Sequence, residues 1–166
     1  MKMRLLQSQL QGKLLQNKAQ NIIEIFLALL VFSIAFISLV ILVNNYIRIL
    51  KTSKDRIIAN FLAQEGLELV IAKRNINKIQ RNDWLNGLNY NNFCIDINFN
   101  IIPSSNPCTL YVNNNNQFVH TNTATPSPFS RLITLTTATN LATVTSKVQF
   151  EDQTVELETV ITDWIP

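Results

Sequence analysis

One long apolar segment constrains this chain more than any other feature of its 166 residues. Residues 22–43 read IIEIFLALLVFSIAFISLVILV, and Glu24 is the only charged residue among them. An apolar helix needs about 20 residues to cross the ~30 Å hydrocarbon core of a bilayer. The segment is longer than the apolar region of a secretory signal peptide, and no small-residue cleavage site follows it. We therefore predict a membrane-spanning helix that the mature chain retains.

The charges flanking this segment predict its orientation. Residues 1–19 carry four basic side chains and no acidic one, whereas residues 20–166 carry ten basic and eleven acidic side chains. Basic residues tend to stay on the cytoplasmic side of a membrane. The N-terminus is thus expected in the cytoplasm and the rest of the chain outside. No basic patch that would indicate nucleic-acid binding remains beyond the leader.

Glu24 is not explained by a simple anchor. An acidic side chain in a membrane helix costs roughly 2.5–3.5 kcal/mol at the helix centre and less toward its end, so such groups usually have a partner. If the basic leader were cut between Ala19 and Gln20, the new chain would begin QNIIE. The free ammonium of Gln20 could then neutralise the Glu24 carboxylate, within one chain or between two neighbouring subunits.

This pattern resembles the type IV pilins and the pseudopilins of related secretion and uptake machines. The pattern consists of a basic leader, a small residue at the cut, four mostly apolar residues, a Glu and about 20 apolar residues. The segments FLAQEGLELVIAKRN at residues 61–75, TPSPFSRLITL at 125–135 and VELETVITDW at 155–164 are also similar to prepilin-type proteins. The sequence departs from the family at Ala19, where Gly is usual, and at Gln20, where Phe or Met is common.

The resemblance implies a life cycle for the chain. A membrane prepilin peptidase would cut between Ala19 and Gln20 and methylate the new amine, and assembly machinery would build subunits into a pilus or a secretion filament. Glu24 would set the register, and the filament core would contain the apolar residues Ile22, Ile23, Phe26, Leu27 and Leu30. The expected partners are other pilin subunits, either identical or different, and membrane lipid before assembly. The expected localisation is the cytoplasmic membrane and then a cell-surface filament, serving adhesion, motility, DNA uptake or secretion.

A second interpretation stays open at the level of the sequence, namely a single-pass surface binding protein that never polymerises. The two interpretations differ at the leader, which a filament subunit would lose and an anchor would keep. We expect no enzyme in either case, because the sequence contains neither a Gly-rich phosphate loop nor an H-E-x-x-H or G-x-S-x-G element. No cofactor is expected, and two Cys with a distant His120 do not form a usual metal site.

The chain beyond the membrane segment is predicted to be one continuous helix followed by a sheet. Residues 22–80 contain no proline and one glycine, Gly66. An apolar stripe at helical spacing is formed by Ile58, Leu62, Leu69, Ala72, Ile76 and Ile79. Gly66 would either allow a close approach to a packed sheet or locally weaken the helix.

The composition past Trp84 shifts to Asn, Thr, Val, Ile and Phe, which predicts an antiparallel sheet of four or five strands. The predicted strands are FCIDINFNII, CTLYV, FSRLITLTT, LATVTSKVQF and TVELETVITDW, and SSNP, NNNNQ and TNTATPSP are predicted surface loops. The fold class is α+β, a long helix packed on a C-terminal sheet as in pilins. The domains are a leader at 1–19, a transmembrane or filament-core helix at 20–45, its amphipathic continuation at 46–82 and an extracytoplasmic sheet domain at 83–166.

Cys94 and Cys108 both fall in the sheet domain. Outside the cell a disulfide can persist, and closing a loop of about 15 residues is worth roughly 3 kcal/mol. We predict a bridge, with a pair of free thiols as the alternative. His120 is predicted at a strand end or in a loop, and Glu156 and Glu158 on a solvated strand face.

Overall fold

The computed structural model describes the backbone of residues 2–120 and 125–163, and the side chains of residues 22–120 and 125–163. The elements are α1 (Lys2–Ile79), β1 (Asn92–Ile95), β2 (Ile101–Pro103), β3 (Cys108–Val112), β4 (Phe118–Val119), β5 (Thr125–Thr137), β6 (Leu141–Phe150) and β7 (Gln153–Thr162). The protein has an α+β fold, as predicted: a long apolar N-terminal helix precedes an antiparallel sheet, and its C-terminal part packs on that sheet. The chain divides into two compact units, residues 1–51 and residues 52–166.

Helix α1 continues until the backbone is forced out of the helical conformation. Arg81 adopts a positive φ of 59°, and its amide donates to the carbonyl of Lys78. The amide of Asn82 donates to the carbonyl of Asn77 at 2.9 Å. These bonds satisfy carbonyls that the last helical turn would leave without a donor, so the helix is capped without glycine.

Strand β5 organises the sheet. It pairs along one edge with β6, which in turn pairs with β7 over ten residues from Leu141 opposite Thr162 to Phe150 opposite Gln153. Its other edge is shared, because β3 pairs with the first part of β5 and β1 pairs at Ile133 and Thr134. β2 extends the sheet beyond β1, and β4 extends it beyond β3. The described residues thus form one curled, seven-stranded antiparallel sheet.

The helix packs on the sheet through small residues. Ala59 and Ala63 are fully buried, whereas Ile79, at the end of the predicted stripe, is 82% exposed. At Gly66 a built Cβ atom would lie 2.5 Å from Ser146 Oγ and 3.0 Å from Arg131 Cδ. Of the two sequence interpretations of Gly66, the structure supports close approach, because the absent side chain lets the helix backbone meet two sheet side chains. The predicted stripe was therefore only partly right.

The buried apolar residues form two clusters. One contains residues from the later turns of α1 and from the strands near β1, including Val70, Phe93, Ile133 and Val144. The other contains Leu62, Phe129, Val148 and Phe150 with their neighbours. Arg131 and Ser146 are fully buried and alternate with members of both clusters along β5 and β6. A polar layer thus separates the two clusters where Gly66 approaches the sheet.

Two predicted segments differ from the structure. FCIDINFNII was predicted as one strand but forms the β1–β2 hairpin, because the Asp96 carboxylate accepts hydrogen bonds from the amides of Asn98 and Asn100. Phe99, in that turn, has a positive φ of 59°. The prediction of a loop through TPSP was also wrong, since Thr125 begins β5; its prolines lie near the strand's start, where strand prolines are tolerated. The split at Asp96, together with the unpredicted strand β4 (Phe118–Val119), brings the described strands to seven.

Candidate assembly surface

The membrane-length part of α1 presents a continuous apolar surface. Every large apolar side chain from Ile22 to Leu50 is between 42% and 69% exposed. An 18-residue window in this helix has a mean hydropathy of 3.1, and none of that window is buried. By length and composition this helix could serve as a membrane anchor.

The predicted filament-core residues all lie on this surface. Their exposed fractions are 54% for Ile22, 63% for Ile23, 69% for Phe26, 60% for Leu27 and 59% for Leu30. The predicted cleavage pair, Ala19 and Gln20, lies within the backbone range of α1, and its side chains fall outside the described residues.

Glu24 lies at one end of a shallow depression along the same helix. The depression is lined by Ile23, Glu24, Leu27, Ala28, Val31, Phe32 and Ala35. Two alanines on one helix face leave room that larger side chains would fill, which is how small residues allow close helix packing in membranes. Ser33 and Ser38 each donate a hydrogen bond to the carbonyl four residues earlier. Among residues 22–43 the Glu24 carboxylate is the one charged group in an apolar surface.

A further exposed apolar patch lies on the sheet-bearing unit. Ile57 is 57% exposed and Phe61 is 67% exposed, while Ala59, Leu62 and Ala63 in the same turns are buried. A repeat of 3.6 residues puts Ile57 and Phe61 on the side of the helix that faces away from the sheet. Sequence reasoning missed this outer patch, although the two residues have helical spacing and could have been assigned to a second stripe.

The sheet beneath the helix is held by a buried arginine. Arg131 Nη1 donates to the carbonyl of Leu62 at 2.9 Å, and Nη2 donates to the carbonyl of Ile95 at 2.7 Å. Glu65 Oε1 lies 3.6 Å from Nη1, within reach of an ion pair. Burial lowers the pKa of Arg131, and the neighbouring Glu65 charge opposes that shift. Arg131 was not singled out from the sequence; the signal was a lone cation in a strand of alternating apolar residues.

The disulfide lies beside this arginine. Cys94 in β1 and Cys108 in β3 are bridged, with their Cα atoms 6.1 Å apart. Both strands lie along one edge of β5, and Cys108 pairs with Arg131 across it. The bridge therefore joins two strands that have no ladder between them, at the point where β5 changes partner.

His120 completes this part of the sheet. It follows β4 directly, as expected for a strand-end residue. Its Nδ1 lies 3.3 Å from the carbonyl of Thr109, and its Nε2 lies 3.2 Å from the carbonyl of Ile95. A neutral imidazole can donate to one of these two oxygens, whereas an imidazolium can donate to both. Desolvation nevertheless dominates and lowers the pKa of His120; the charge of Arg131 acts in the same direction.

Two further acidic positions lie on the outer surface of the sheet. Glu156 and Glu158 are exposed on β7, and Lys147 pairs with Glu156 across the strands. Among the described residues, no group of three or more His, Cys, Asp or Glu side chains is placed to hold a metal ion. Chemically, the outstanding feature of the described residues is exposed apolar surface, which suits packing against lipid or protein.

Comparisons of this chain with protein-family models, with curated proteins and with solved structures found no match.

Proposed function

We propose that this chain is a pilin-like subunit that enters the cytoplasmic membrane through α1 and is then assembled into a filament through the same helix. In this proposal the leader is removed between Ala19 and Gln20, and the chain is a structural subunit rather than an enzyme. Its partners are other copies or related subunits, together with the peptidase and assembly machinery that the family resemblance implies.

The observation that carries the proposal is the extent of the exposed apolar surface. Residues 22–50 cover ~43 Å at 1.5 Å per residue, more than the ~30 Å hydrocarbon core of a bilayer. Ile57 and Phe61 follow at 57% and 67% exposure, 14 and 18 residues after Val43. A single anchor that uses residues 22–43 leaves these later side chains without lipid. Helices of neighbouring subunits would cover them.

Glu24 supports the same proposal. A carboxylate among exposed apolar side chains is unfavourable in lipid, and a partner ammonium removes most of that cost. The amine of a chain beginning at Gln20 lies four residues away in sequence, either in the same subunit or in the next one. Docking onto an assembly that provides this ammonium would then be favoured over remaining in the bilayer.

The deciding experiment is the intact mass and N-terminal sequence of the protein recovered from its native membrane and surface fractions. The proposal expects a chain that begins at methylated Gln20. Mature, surface-exposed protein that still begins near Met1 would contradict it and support a permanent single-pass anchor.

A variant separates assembly from insertion. Glu24→Gln keeps the shape of the side chain and removes its charge, so the proposal expects normal membrane insertion with a loss of sedimentable filaments. Glu158→Gln, at an exposed position on β7, is the matched control and should assemble normally. Equal filament yields from both variants would remove Glu24 from the proposed mechanism.

A further inference from the structure

A small cleft lies between the turn that follows α1 and the far end of β5. It encloses about 280 Å³ and is lined by Asp83, Leu85, Leu88, Asn89, Tyr90, Asn91, Leu135 and Thr137. All of these residues belong to the sheet-bearing unit. The cleft therefore shares no residue with the apolar surface of residues 22–50, and an inference about it stands whether or not the chain forms filaments.

The walls of the cleft are held in place by hydrogen bonds. The buried side chain of Asn77 donates through Nδ2 to the carbonyls of Trp84, at 3.2 Å, and Asn86, at 2.7 Å. Asp83 Oδ1 accepts a hydrogen bond from the amide of Leu85 at 2.8 Å. On the opposite side, the amide of Leu135 donates to the carbonyl of Asn91 at 2.7 Å. A preformed site of this kind loses little conformational freedom when a ligand binds.

The lining combines an apolar floor with polar groups at the rim. Leu88 and Leu135 are 1% and 3% exposed, and Tyr90 is 45% exposed. The side chains of Asn89, Asn91 and Thr137 are exposed and make no hydrogen bond with any residue in the described part of the chain. Two carboxamides, a hydroxyl and a phenol thus remain available as donors and acceptors around one aromatic ring.

This combination selects a class of ligand. The lining contains no Lys, Arg or His, so it offers no cation for a phosphate or a carboxylate. The volume is just below the ~300–1,000 Å³ of sites for drug-sized ligands, so one ring-sized group fits. A neutral pyranose has hydroxyl groups for the two amides and an apolar C–H face for the ring of Tyr90. We propose that the cleft binds one neutral sugar ring of a glycan.

The test uses the full chain in micelles of a detergent without a sugar headgroup, titrated with methyl glycosides of glucose, galactose, mannose and N-acetylglucosamine. Amide chemical shifts of residues 83–91 and 135–137 report binding up to tens of millimolar, because an isolated sugar ring is expected to bind weakly. The proposal expects saturable shifts confined to these residues for at least one glycoside. Tyr90→Ala should weaken that binding by roughly tenfold or more, and Asn89→Ala or Asn91→Ala by a smaller factor.

Controls keep the outcome interpretable. Asn115→Ala, in the β3–β4 turn, changes the same residue type outside the cleft and should leave the affinity unchanged. Tyr90→Phe keeps the ring, so it should retain most of the binding even if Tyr90→Ala fails to fold. The absence of saturable shifts with all four glycosides would overturn the proposal. So would shifts that survive both Tyr90→Ala and Asn91→Ala, or binding of a short peptide or a sugar phosphate without any neutral sugar.

Discussion

At the scale of single residues, Gly66 decides how closely α1 meets the sheet. Its missing side chain leaves space that Ser146 Oγ, Arg131 Cδ and Ile133 Cδ1 occupy to within 2.5–3.0 Å of a built Cβ. Alanine is favoured over glycine inside a helix by about 1 kcal/mol, whereas overpacking a core costs typically 1–3 kcal/mol. The packing term is the larger one here because all three contacts come from fully buried residues.

We therefore expect Gly66→Ala to lower the free energy of unfolding by roughly 1–2 kcal/mol. Urea unfolding of the full chain in micelles measures this value. The double variant Gly66→Ala with Ser146→Ala removes the nearest contact. It breaks no hydrogen bond, because Ser146 Oγ has no hydrogen-bond partner in the described structure. The double variant should therefore recover part of the free energy of unfolding that Gly66→Ala loses. A Gly66→Ala chain as stable as the wild type would show that the helix and sheet can separate without penalty.

His120 gives the stability a defined dependence on pH. Its pKa in the folded chain lies below the ordinary 6.5, mainly because the ring is desolvated. The unfolded chain therefore binds more protons as the pH falls below 6.5, so the contribution of neutral His120 is fully present above that pH and is lost as the pH falls toward the folded pKa. The Asp96 carboxylate and the carbonyls of Thr109 and Ile95 oppose this shift without reversing it.

We expect the stability difference between the wild type and His120→Asn to shrink as the pH is lowered from about 7.5 to about 5. Urea unfolding across this range measures the difference. Because His120 is the only histidine of the chain, its ring resonances can be followed without ambiguity in an NMR titration. A measured pKa at or above 6.5 would contradict the assigned direction and indicate that both carbonyls accept from an imidazolium.

At the scale of elements, α1 has different partners on its two faces. One face is buried against the sheet of the same chain, because its small residues and Leu62 pack there. The other face exposes Ile57 and Phe61 before the polar pair Gln64 and Glu68, which are joined by a hydrogen bond. A contiguous patch of exposed large apolar side chains is a common mark of an interaction surface.

Replacing Ile57 and Phe61 by Ser should lower filament yield severalfold while leaving urea unfolding of the chain within about 0.5 kcal/mol, as for other exposed positions. Filament yield is measured by sedimentation of sheared surface material. Val160→Ser, at a 55% exposed position on β7, is the control and should assemble normally. A strongly reduced stability of the Ser variant would instead mean that these side chains stabilise the subunit itself.

At the scale of the whole molecule, the contacts divide at residues 51 and 52. Both apolar clusters, the disulfide and every strand pair lie beyond that division. The residues before it contain the exposed apolar helix surface.

A fragment that begins at Thr52 should therefore fold by itself, without detergent, and unfold in one cooperative transition. Its urea midpoint should match that of the full chain within experimental error. A fragment that begins at Leu67 lacks Ala59, Leu62 and Ala63 and should lose the cluster around Phe129, with a lower midpoint or no folded state. A Thr52 fragment that remains unfolded would show that the first unit contributes to the stability of the second.

The sequence by itself determined the features that depend on local pattern. The strands CTLYV and LATVTSKVQF were predicted at their observed bounds. Such features follow from periodicity and turn composition, which act over a few residues. The bridge between Cys94 and Cys108 was also indicated, because the sheet domain has only two cysteines and the loop between them is short.

Only the tertiary structure decided which residues meet across long sequence separations. Arg131, His120 and Ile95 come together because β1 and β3 share one edge of β5 and β4 lies beside β3. Gly66 meets Ser146 because the helix crosses the sheet at that point. The turn at Asp96 overrode an alternating pattern because one buried carboxylate satisfies several amides at once. Local propensity is a weak preference, and contacts between residues distant in sequence decide where the chain departs from it.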